Sequence, residues 1–600
     1  MHEVRALRDR VNELLAQLRA ASAQHASSIA RVPETYRLGA RNLVHYVTLR
    51  QHDLRTVQRD LSRLGLSSLG RIEGRVENAL ESVRDRLDDV LGEPHRSGAP
   101  SAAERGPSWD EAEERLQSHA ETLLGPRPPE RRVSIMVTAP SAAEVTDAWM
   151  ERLLAAGTNI LRINGAHEEA RAWEHVVSTA RRAATRLDAP LRIVVDMPGP
   201  KLRTVALEEG PRVLRFHAER DELGRTVSPA RVAIGGPSAS LGERSLALPD
   251  AVVSDLEIGD RLAFRDARDK KRALTIVGRE DAHVLAETEE TAYVVPETEL
   301  RHERGGVERA RIRPTHVPAR PHRIRIDVGD RLALVRPGAA PPSHLPALGL
   351  TLEEAFASLG PGHRVLFDDG HAETVVEATT PTHAVLRVTH VRSAGLALGG
   401  EKGVNLPDTA LDVPLLGEAD ERALAFARDH ADAVGASFVR SPGDVHALHD
   451  RLRAIGADRL GVIWKIETTG AFVSLPAILL AALERAPVGV MIARGDLAIE
   501  AGYERLAELQ EEILWLSEAA HLPVVWATQV LDAHAHTGRP TRAEITDAAM
   551  AGRAECVMLN KGPYVVEAVE ALDDILRRME QHQYKKRNLY RKLHLSLPAS

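Results

Sequence analysis

Residues 488–500, VGVMIARGDLAIE, begin as an apolar run and then place Arg494, Gly495 and Asp496 at three successive positions. A continuous apolar run is typical of a strand that is buried on both faces, as in a parallel sheet. Charged residues directly after such a strand occur where the strand ends of a barrel carry a functional site. The competing interpretation is an exposed Arg-Gly-Asp adhesion loop, and the neighbouring segments distinguish the two.

Seven further apolar runs alternate with helical patterns along the chain. They are SIMVTAP (134–140), TNILRI (158–163), LRIVVDM (191–197), AVGASFV (433–439), LGVIWKI (460–466), LPVVWAT (522–528) and ECVMLN (555–560). Eight strands separated by helices predict an α/β protein built as a (β/α)8 barrel, with its active site at the carboxyl ends of the strands. An open doubly wound sheet is the alternative, and the number of strands favours the closed barrel.

The chain of 600 residues is too long for one hydrophobic core, so we expect several domains. Residues 1–130 have the apolar spacing of packed helices, and residues 205–397 alternate polar and apolar positions between Pro and Gly, as a β-rich insertion does. The barrel is therefore expected in residues 131–204 and 398–580. The basic residues 581–600 form a C-terminal tail.

The helical region and the β-rich insertion each contain a repeated sequence pattern. The helical region carries two apolar stripes with heptad-like steps, which pack either within the chain or between two copies of it, so a homo-oligomer stays open. The stripes are Val4, Leu7, Val11, Leu14 and Leu18, and Ile72, Val76, Leu80, Val83 and Leu87. In the insertion, IGDRLAF (258–264) is echoed by VGDRLAL (328–334) and more loosely by GHRVLFDDG (362–370), which indicates duplicated β units.

Composition argues against several classes of protein. The formal charge of -8 gives no general attraction to nucleic acid. The single Cys556 excludes an intramolecular disulfide and a zinc site built on several thiolates, and its apolar neighbours predict a core position. Neither a signal peptide nor a membrane span is evident in the sequence. We therefore expect a cytoplasmic protein that binds neither nucleic acid nor membrane.

Polar residues recur where the predicted strands end. Because side chains two apart on a strand point the same way, Arg162 and Asn164 share one face, as do Lys465 and Glu467. Further polar residues follow strands three, four, six and seven: Asp196, Arg440, Asp496 and Thr528. Carboxylates suit Mg²⁺ or Mn²⁺, and Arg and Lys suit a phosphate. Each residue alone is a weak signal, but together they indicate phosphoryl transfer.

The barrel segments resemble the pyruvate kinase family from about residue 131 to residue 580. The motifs that carry the resemblance, in the family's order, are LRINGAH (161–167), VVDMPGPKLRT (194–204), EKGVNLP (401–407), ASFVRSPGDV (436–445), WKIETTGAF (464–472), VMIARGDLAIE (490–500), VVWATQVLD (524–532) and GRPTRAEITDAAMAG (538–552). The resemblance implies Mg²⁺- or Mn²⁺-dependent transfer of phosphate from phosphoenolpyruvate to ADP, which gives ATP and pyruvate in the last step of glycolysis.

The resemblance also implies roles for single residues. Lys465 and Arg162 would be catalytic and bind the phosphoryl group, and Thr528 would lie near the carbon that is protonated to give pyruvate. Glu467 and Asp496 would hold the divalent metal. The backbone N–H groups of Gly495 and Asp496 would bind the substrate carboxylate. Nucleotide phosphates would contact Lys402, His167 and Arg203, with the insertion closing as a lid.

The chain departs from the family at its monovalent-cation site. The resemblance implies Asn164 and Asp196 as potassium ligands, but Ala166 stands where the family has a Ser hydroxyl. Lys201 stands where potassium-dependent relatives carry Glu, and members with Lys there are associated with potassium independence. We therefore expect that the Lys201 ammonium replaces the ion and that potassium is dispensable.

Other departures leave different functions open. Residues 559–568, LNKGPYVVEA, replace a Ser-Gly-Glu-Thr motif, and Met197 and Pro198 replace the Thr and Lys that the family favours. The sequence also ends before the family's usual C-terminal regulatory domain. A metal-dependent lyase or aldolase acting on pyruvate-like enolates is one alternative, and a non-catalytic relative that binds phosphoenolpyruvate or nucleotide is another.

Overall fold

The computed structural model describes residues 1–94, 106–236, 245–280, 283–409, 411, 413–585 and 587–588. Eight parallel strands close into a barrel, which confirms the predicted fold. They are β1 (Ser134–Thr138), β2 (Ile160–Asn164), β3 (Arg192–Asp196), β4 (Ala433–Ala436), β5 (Gly461–Ile466), β6 (Val488–Ala493), β7 (Val524–Ala527) and β8 (Cys556–Leu559). β1 pairs with both β2 and β8, so the sheet closes on itself. Cys556 lies fully buried in the barrel interior, as its apolar neighbours predicted.

Helices surround the barrel strands. They are Asp147–Ala155, Ala170–Leu187, Glu418–His430, Pro442–Ala454, Thr469–Val473, Leu475–Ala482, Arg494–Ala501, Leu506–Ala519, Asp532–Thr537, Arg542–Ala551 and Val565–Glu580. After the last helix, the short strands Gln583–Tyr584 and Arg587–Asn588 pair with each other. The rest of the predicted basic tail, residue 586 and residues 589–600, lies outside the described residues.

The N-terminal region is helical, as predicted. Its helices are His2–Gln24, Ala26–Arg31, Glu34–Leu49, Arg55–Arg63, Val76–Leu91 and Trp109–Leu124. Both predicted apolar stripes are buried within the chain, where the first and fifth of these helices pack against each other. The last helix begins with a capping box, because Ser108 Oγ accepts from Glu111 N at 3.3 Å and Ser108 N donates to Glu111 Oε2 at 2.8 Å.

Hydrogen bonds join these helices to the barrel. The Asn42 amide donates to the carbonyls of Glu73 (2.6 Å) and Ala519 (2.8 Å). His521 Nε2 donates to the Gly74 carbonyl at 2.7 Å. The N-terminal helices therefore belong to the same compact unit as the barrel, which comprises residues 1–202, 363–370 and 405–600.

The helix Trp109–Leu124 closes the amino-terminal end of the barrel with leucine side chains. Leu123 and Leu124 lie in the buried barrel interior. Leu123 fits there because β5 and β6 carry glycines beside it. A Cβ on Gly461 would lie 2.6 Å from Leu123 Cδ1, and a Cβ on Gly489 would lie 2.5 Å from Leu123 Cδ2.

This contact predicts a coupled pair of stability changes. Gly461→Ala should lower the free energy of unfolding by about 1–3 kcal/mol, because the new methyl group overlaps Leu123. Leu123→Ala should cost about 2–5 kcal/mol through the cavity that it leaves. In the Leu123→Ala background, Gly461→Ala should cost much less than it does alone, which chemical denaturation of the four proteins would measure. Strictly additive losses would contradict the contact.

The second compact unit comprises residues 203–362 and 371–404. Its first sheet has the order Ser245–Ala247, Ala230–Gly235, His283–Thr288, Lys271–Glu280, Arg261–Arg265, Leu300–Arg304, Val307–Ile312. A second sheet contains, in order, Ala372–Thr379, His383–Val391, Arg331–Val335, Ala347–Leu350 and Thr204–Ala206. Among its described residues this unit also has smaller strand pairs: Glu209–Arg212 with Ala319–Pro321, Leu214–Phe216 with Ala292–Val294, Glu219–Arg220 with Thr226–Ser228, and Arg323–Ile326 with Leu396–Gly399. Its helices are Asp250–Asp255 and Glu353–Ala357.

The two Gly-Asp repeats of the insertion make the same hydrogen bonds. Gly259 N donates to Ile276 O and Ile276 N donates to Asp260 O, both at 2.9 Å. In the second copy, Gly329 and Asp330 exchange the corresponding bonds with one residue of a neighbouring strand, Val388, again at 2.9 Å. The repeat in sequence is therefore also a repeat in structure, as duplicated β units would produce.

Candidate active site

A cluster of charged side chains lies at the carboxyl ends of β2, β3 and β5. Arg162 Nη2 is 2.5 Å from Asp196 Oδ2, and Arg162 Nη1 donates to Thr138 Oγ1 at 2.9 Å. Lys465 Nζ donates to the same Asp196 oxygen at 3.1 Å. One buried carboxylate therefore holds both cations that the sequence predicted for the site.

Lys465 has two further partners in the cluster. Its ammonium is 2.9 Å from Glu467 Oε1 and 2.7 Å from Ser437 Oγ. The Ser437 hydroxyl in turn donates to the Met197 carbonyl at 2.6 Å, and Glu467 Oε2 accepts from Phe438 N at 2.6 Å. The lysine is thus fixed by three groups at the carboxyl ends of β3, β4 and β5, with little freedom to leave the site.

The charges in this cluster determine which of its side chains are ionised. Burial alone would lower the pKa of Lys465, but Asp196 and Glu467 outweigh it and raise the pKa to about 12. Burial likewise opposes ionisation of Asp196, yet Arg162 and Lys465 hold its pKa below the ordinary value. Lys465 therefore stays positive and Asp196 negative at neutral pH.

Glu467 and Asp496 are the candidate ligands of a divalent metal. Burial raises the pKa of Glu467 to about 6, with Lys465 opposing and the Asp496 charge adding to the rise. A cation between two such carboxylates would relieve this repulsion. Two carboxylates, with water and substrate oxygens, also make up the ligand set that Mg²⁺ commonly takes. Within the described ranges no group of three or more His, Cys, Asp or Glu side chains is placed to hold a metal.

The Arg-Gly-Asp segment forms the first turn of the helix Arg494–Ala501. Gly495 N donates to Thr528 Oγ1 at 2.8 Å, which brings together two of the predicted substrate contacts at the ends of β6 and β7. Arg494 is 8% exposed, because its guanidinium binds the carbonyls of Ala527 and Thr528 at the end of β7. A buried arginine excludes the adhesion-loop interpretation.

The predicted nucleotide contacts fall on both compact units. His167 follows β2 and, with Arg162, Asn164, Asn560 and Lys561 among its neighbours, lines a cavity of about 430 Å³. The other two predicted contacts lie on adjacent segments of the second unit. There Arg203 Nη1 donates to the Glu401 carbonyl at 3.0 Å, and Lys402 N donates to Thr204 Oγ1 at 2.9 Å.

The predicted potassium ligands are only partly available. Asn164 Oδ1 accepts from Ala166 N at 3.1 Å, as in a turn that an asparagine side chain closes. In the part of the chain that the structure describes, Asp196 Oδ1 is buried and has no hydrogen-bond partner. An unpaired carboxylate oxygen of this kind fits a nearby positive charge. Lys201 lies half-buried on the loop after β3, where its N–H donates to the Gly199 carbonyl at 2.8 Å.

The structure changes two interpretations of the sequence. Arg440 does not join the cluster, because its guanidinium binds Asp444 and the carbonyls of Leu411 and Val413. Ser437, which sequence reasoning assigned to a strand, binds Lys465 instead. Its position directly after the end of β4 is the signal that could have identified it.

Comparison with known proteins supplies the family. Residues 130–276 and 306–569 match the family model described as pyruvate kinase, barrel domain, which is more than half of the chain. The chain belongs to the pyruvate kinase family. Pyruvate kinase of Clostridium acetobutylicum is 32% identical over 238 residues, which are 38% of this chain and 48% of that protein. Pyruvate kinase PKLR of Rattus norvegicus is 38% identical over 246 residues, 40% of this chain and 41% of its own length.

These alignments span less than half of the length of the curated pyruvate kinases. A pyruvate kinase of Cryptosporidium parvum has a similar fold, with a TM-score of 0.50 and 20% sequence identity over 77% of this chain and 72% of that chain. At this identity the match supports the fold alone. No described helix combines the length and apolar character that crossing a membrane requires.

A second acidic group lies on the helix that carries Asp496. Glu500 is buried one turn further on, where Asn405 Nδ2 donates to its Oε1 at 3.1 Å. Burial raises the pKa of Glu500 to about 7 and the Asp496 charge adds to this, while the Asn405 bond opposes it. Charges on Arg364 and Asp408 contribute less. The folded protein therefore binds this proton more tightly than the unfolded chain does.

This raised pKa predicts a pH-dependent stability. Protonated Glu500 contributes stability that is complete below pH about 4.5 and is lost as the pH rises through about 7. The loss amounts to about 3 kcal/mol at most. Glu500→Gln should therefore match the wild-type unfolding temperature at pH 5 and exceed it at pH 8 in thermal melts. The exposed Glu504→Gln serves as the control, and an equal shift for Glu500→Gln at both pH values would contradict the prediction.

Proposed function

We propose that this protein is a pyruvate kinase, which transfers phosphate from phosphoenolpyruvate to ADP with Mg²⁺ or Mn²⁺. The observation that carries the proposal is the buried Lys465, held by Asp196 and Glu467 while Arg162 binds the same Asp196 oxygen. A fixed lysine and arginine beside two candidate metal ligands is what stabilisation of a phosphoryl group in transit requires. Family membership supports this activity and does not favour the lyase alternative.

Each residue of the site has a task in this reaction. Arg162 binds phosphoryl oxygens, and Lys465, with its raised pKa, stays positive to offset their charge during transfer. The N–H groups of Gly495 and Asp496, in the first helical turn, bind the substrate carboxylate. Thr528 lies beside Gly495. In this scheme its hydroxyl would lie next to the enolate carbon that takes up a proton. A divalent ion held by Glu467 and Asp496 would supply charge to stabilise the enolate oxygen.

For the nucleotide phosphates we propose Lys402 and Arg203, which lie in the second compact unit, and His167, which lies in the unit of the barrel. All three are cationic or can become so, and they lie in segments that resemble the family's motifs. In this scheme the insertion, assigned to residues 205–397, acts as a lid that excludes water. The helical region 1–130 and the barrel, residues 131–204 and 398–580, keep their predicted assignments, and a cytoplasmic location fits a chain with one cysteine.

The assay that tests this function is pyruvate release by the purified chain with phosphoenolpyruvate, ADP and Mg²⁺. A pyruvate kinase needs ADP and forms ATP, whereas a lyase ignores ADP. A non-catalytic relative binds phosphoenolpyruvate without turnover. Folded protein that binds phosphoenolpyruvate yet releases no pyruvate would overturn the proposal.

Lys201 makes the monovalent ion dispensable in this proposal. In this scheme the Lys201 ammonium supplies the charge that potassium otherwise brings, and it would neutralise Asp196 Oδ1, which has no hydrogen-bond partner among the described residues. We expect equal turnover in potassium, sodium and Tris buffers, and at least a tenfold loss without potassium in Lys201→Glu, where the fixed positive charge is gone. Comparing the two proteins in the three buffers measures this. Strict potassium dependence of the wild-type protein would disprove it.

A further inference from the structure

Arg494 joins three segments at the rim of the barrel. It opens the helix Arg494–Ala501, and its guanidinium binds both oxygens of Asp547 at 2.5 and 2.8 Å. Its Nε donates to the Ala527 carbonyl at 2.9 Å, and its Nη2 donates to the Thr528 carbonyl. The Trp526 ring lies 5.0 Å from the guanidinium carbon. Sequence reasoning gave this arginine no task.

The segment that Arg494 holds has an unusual backbone. Thr528, Gln529 and Leu531 have φ values of 67°, 56° and 48°, in the left-handed region that residues with a Cβ rarely adopt. Such a backbone persists only when its surroundings fix it. Because Arg494 binds the carbonyls of Ala527 and Thr528, it fixes the peptide groups on both sides of Thr528.

A ring of hydrogen bonds connects Arg494 to the predicted substrate contacts. Thr528 Oγ1 donates to the Ala527 carbonyl at 2.7 Å and accepts from Gly495 N at 2.8 Å. The Ala527 carbonyl oxygen therefore accepts two hydrogen bonds, one from Arg494 Nε and one from the Thr528 hydroxyl. A carbonyl oxygen can accept both, so the hydroxyl can turn away while Arg494 keeps that oxygen paired.

We propose that Arg494 is a positioning residue that acts through Thr528. It keeps the Thr528 hydroxyl within hydrogen-bonding distance of the Gly495 N–H. It also allows this hydroxyl to turn from the Ala527 carbonyl to the substrate, because Arg494 Nε still donates to that carbonyl and no buried oxygen is left unpaired. The inference rests on the proposed function, because Thr528 and Gly495 are substrate contacts only if that function holds. Asp547 and Trp526 fix the plane of the guanidinium so that it can donate to the carbonyls of Ala527 and Thr528.

A lysine cannot replace Arg494 in this role. The guanidinium is a planar fork whose donors reach Asp547 and two carbonyls at once, whereas an ammonium is a single compact centre. Arg494→Lys therefore keeps the charge and removes the positioning. Arg553 offers a matched control, because it is equally buried, at 8% exposure. Its guanidinium binds both carboxylate oxygens of Glu511, away from the site.

The test compares the full-length wild-type protein with Arg494→Lys, Thr528→Ala, the double variant and Arg553→Lys. Turnover, KM for phosphoenolpyruvate, KM for ADP and thermal unfolding are measured for each. We expect kcat to fall roughly 30-fold in Arg494→Lys with KM for ADP unchanged, and roughly 100-fold in Thr528→Ala. The double variant should lie within about threefold of Thr528→Ala, since Arg494 acts through the missing hydroxyl. Arg553→Lys should lose thermal stability and keep kcat within about twofold.

Each contrary result has a distinct meaning. Losses that multiply in the double variant, or an equal loss of kcat in Arg553→Lys, overturn the positioning role and leave the proposed function intact. No turnover by the wild-type protein overturns the proposed function and the positioning role together. If Arg494→Lys does not fold, Asp547→Asn replaces it under the same criteria, because it removes the charge that holds the guanidinium.

Discussion

Replacing Lys465 with methionine is expected to lower turnover by roughly a thousandfold or more, because it removes the ammonium that offsets the charge of the phosphoryl group during transfer. Lys465 Nζ lies within 3.1 Å of oxygens from Asp196, Glu467 and Ser437. Methionine has a similar volume, so packing is largely kept while the ammonium is lost. Pyruvate release under saturating phosphoenolpyruvate and ADP measures the effect.

A second buried lysine provides the control for this substitution. Lys585 is 6% exposed and pairs with Glu555, near the start of β8 at the opposite end of the barrel. Lys585→Met should cost stability, since the partly buried Glu555 carboxylate loses its ion-pair partner, but it should keep turnover. Comparable loss of activity in both variants would show that Lys465 matters only for folding.

The second large effect is expected at the candidate metal ligands. Glu467→Gln and Asp496→Asn each remove one of two carboxylates whose mutual repulsion helps raise the pKa of Glu467. Each should weaken Mn²⁺ binding by at least about tenfold and lower turnover at least a hundredfold, because a metal with one carboxylate left is poorly held. Titration with Mn²⁺ alone, followed by its electron paramagnetic resonance signal, measures the affinity without any need for turnover.

Asp573→Asn is the matched control for the metal ligands. Asp573 Oδ1 also pairs with a buried cation, Arg131 Nε at 2.7 Å, but lies far from the carboxyl ends of the strands. It should bind Mn²⁺ like the wild-type protein. Mn²⁺ affinity that is the same in all four proteins would exclude Glu467 and Asp496 as the metal site.

The barrel could be predicted from sequence because its strands are buried on both faces. Their apolar runs are therefore continuous, and the polar residues at their ends stand out against them. Spacing of two along a strand correctly indicated that Lys465 and Glu467 lie together, where the structure finds them 2.9 Å apart. Contacts between distant strand ends, such as Arg162 with Asp196, followed from the barrel itself.

Other parts of the site depend on backbone turns that periodicity does not reveal. β4 ends at Ala436, and Phe438 has a φ of 56°, so Ser437 points its hydroxyl to Lys465 although the apolar run continues to residue 439. Arg440 was assigned to the rim cluster from its place after the strand. Its partners include carbonyls at residues 411 and 413, which local sequence could not identify.

The task of Arg494 was also hidden in the sequence. It depends on Asp547, 53 residues further along the chain, and on the left-handed backbone of Thr528. Neither is visible from strand or helix periodicity, although both segments lie in motifs that resemble the family. The packing of Leu123 into the barrel could not be predicted for the same reason. The role of Gly461 and Gly489 depends on a helix that lies far away in the sequence.

The measurement that tests the central claim most directly is phosphorus NMR of phosphoenolpyruvate, ADP and Mg²⁺ with the purified full-length chain, with pyruvate assayed in the same samples. We expect ATP and pyruvate to form in equal amounts, at a rate that Lys465→Met reduces to the background. Pyruvate and inorganic phosphate released without ADP, or no conversion by folded protein that binds phosphoenolpyruvate, would contradict phosphoryl transfer by this site.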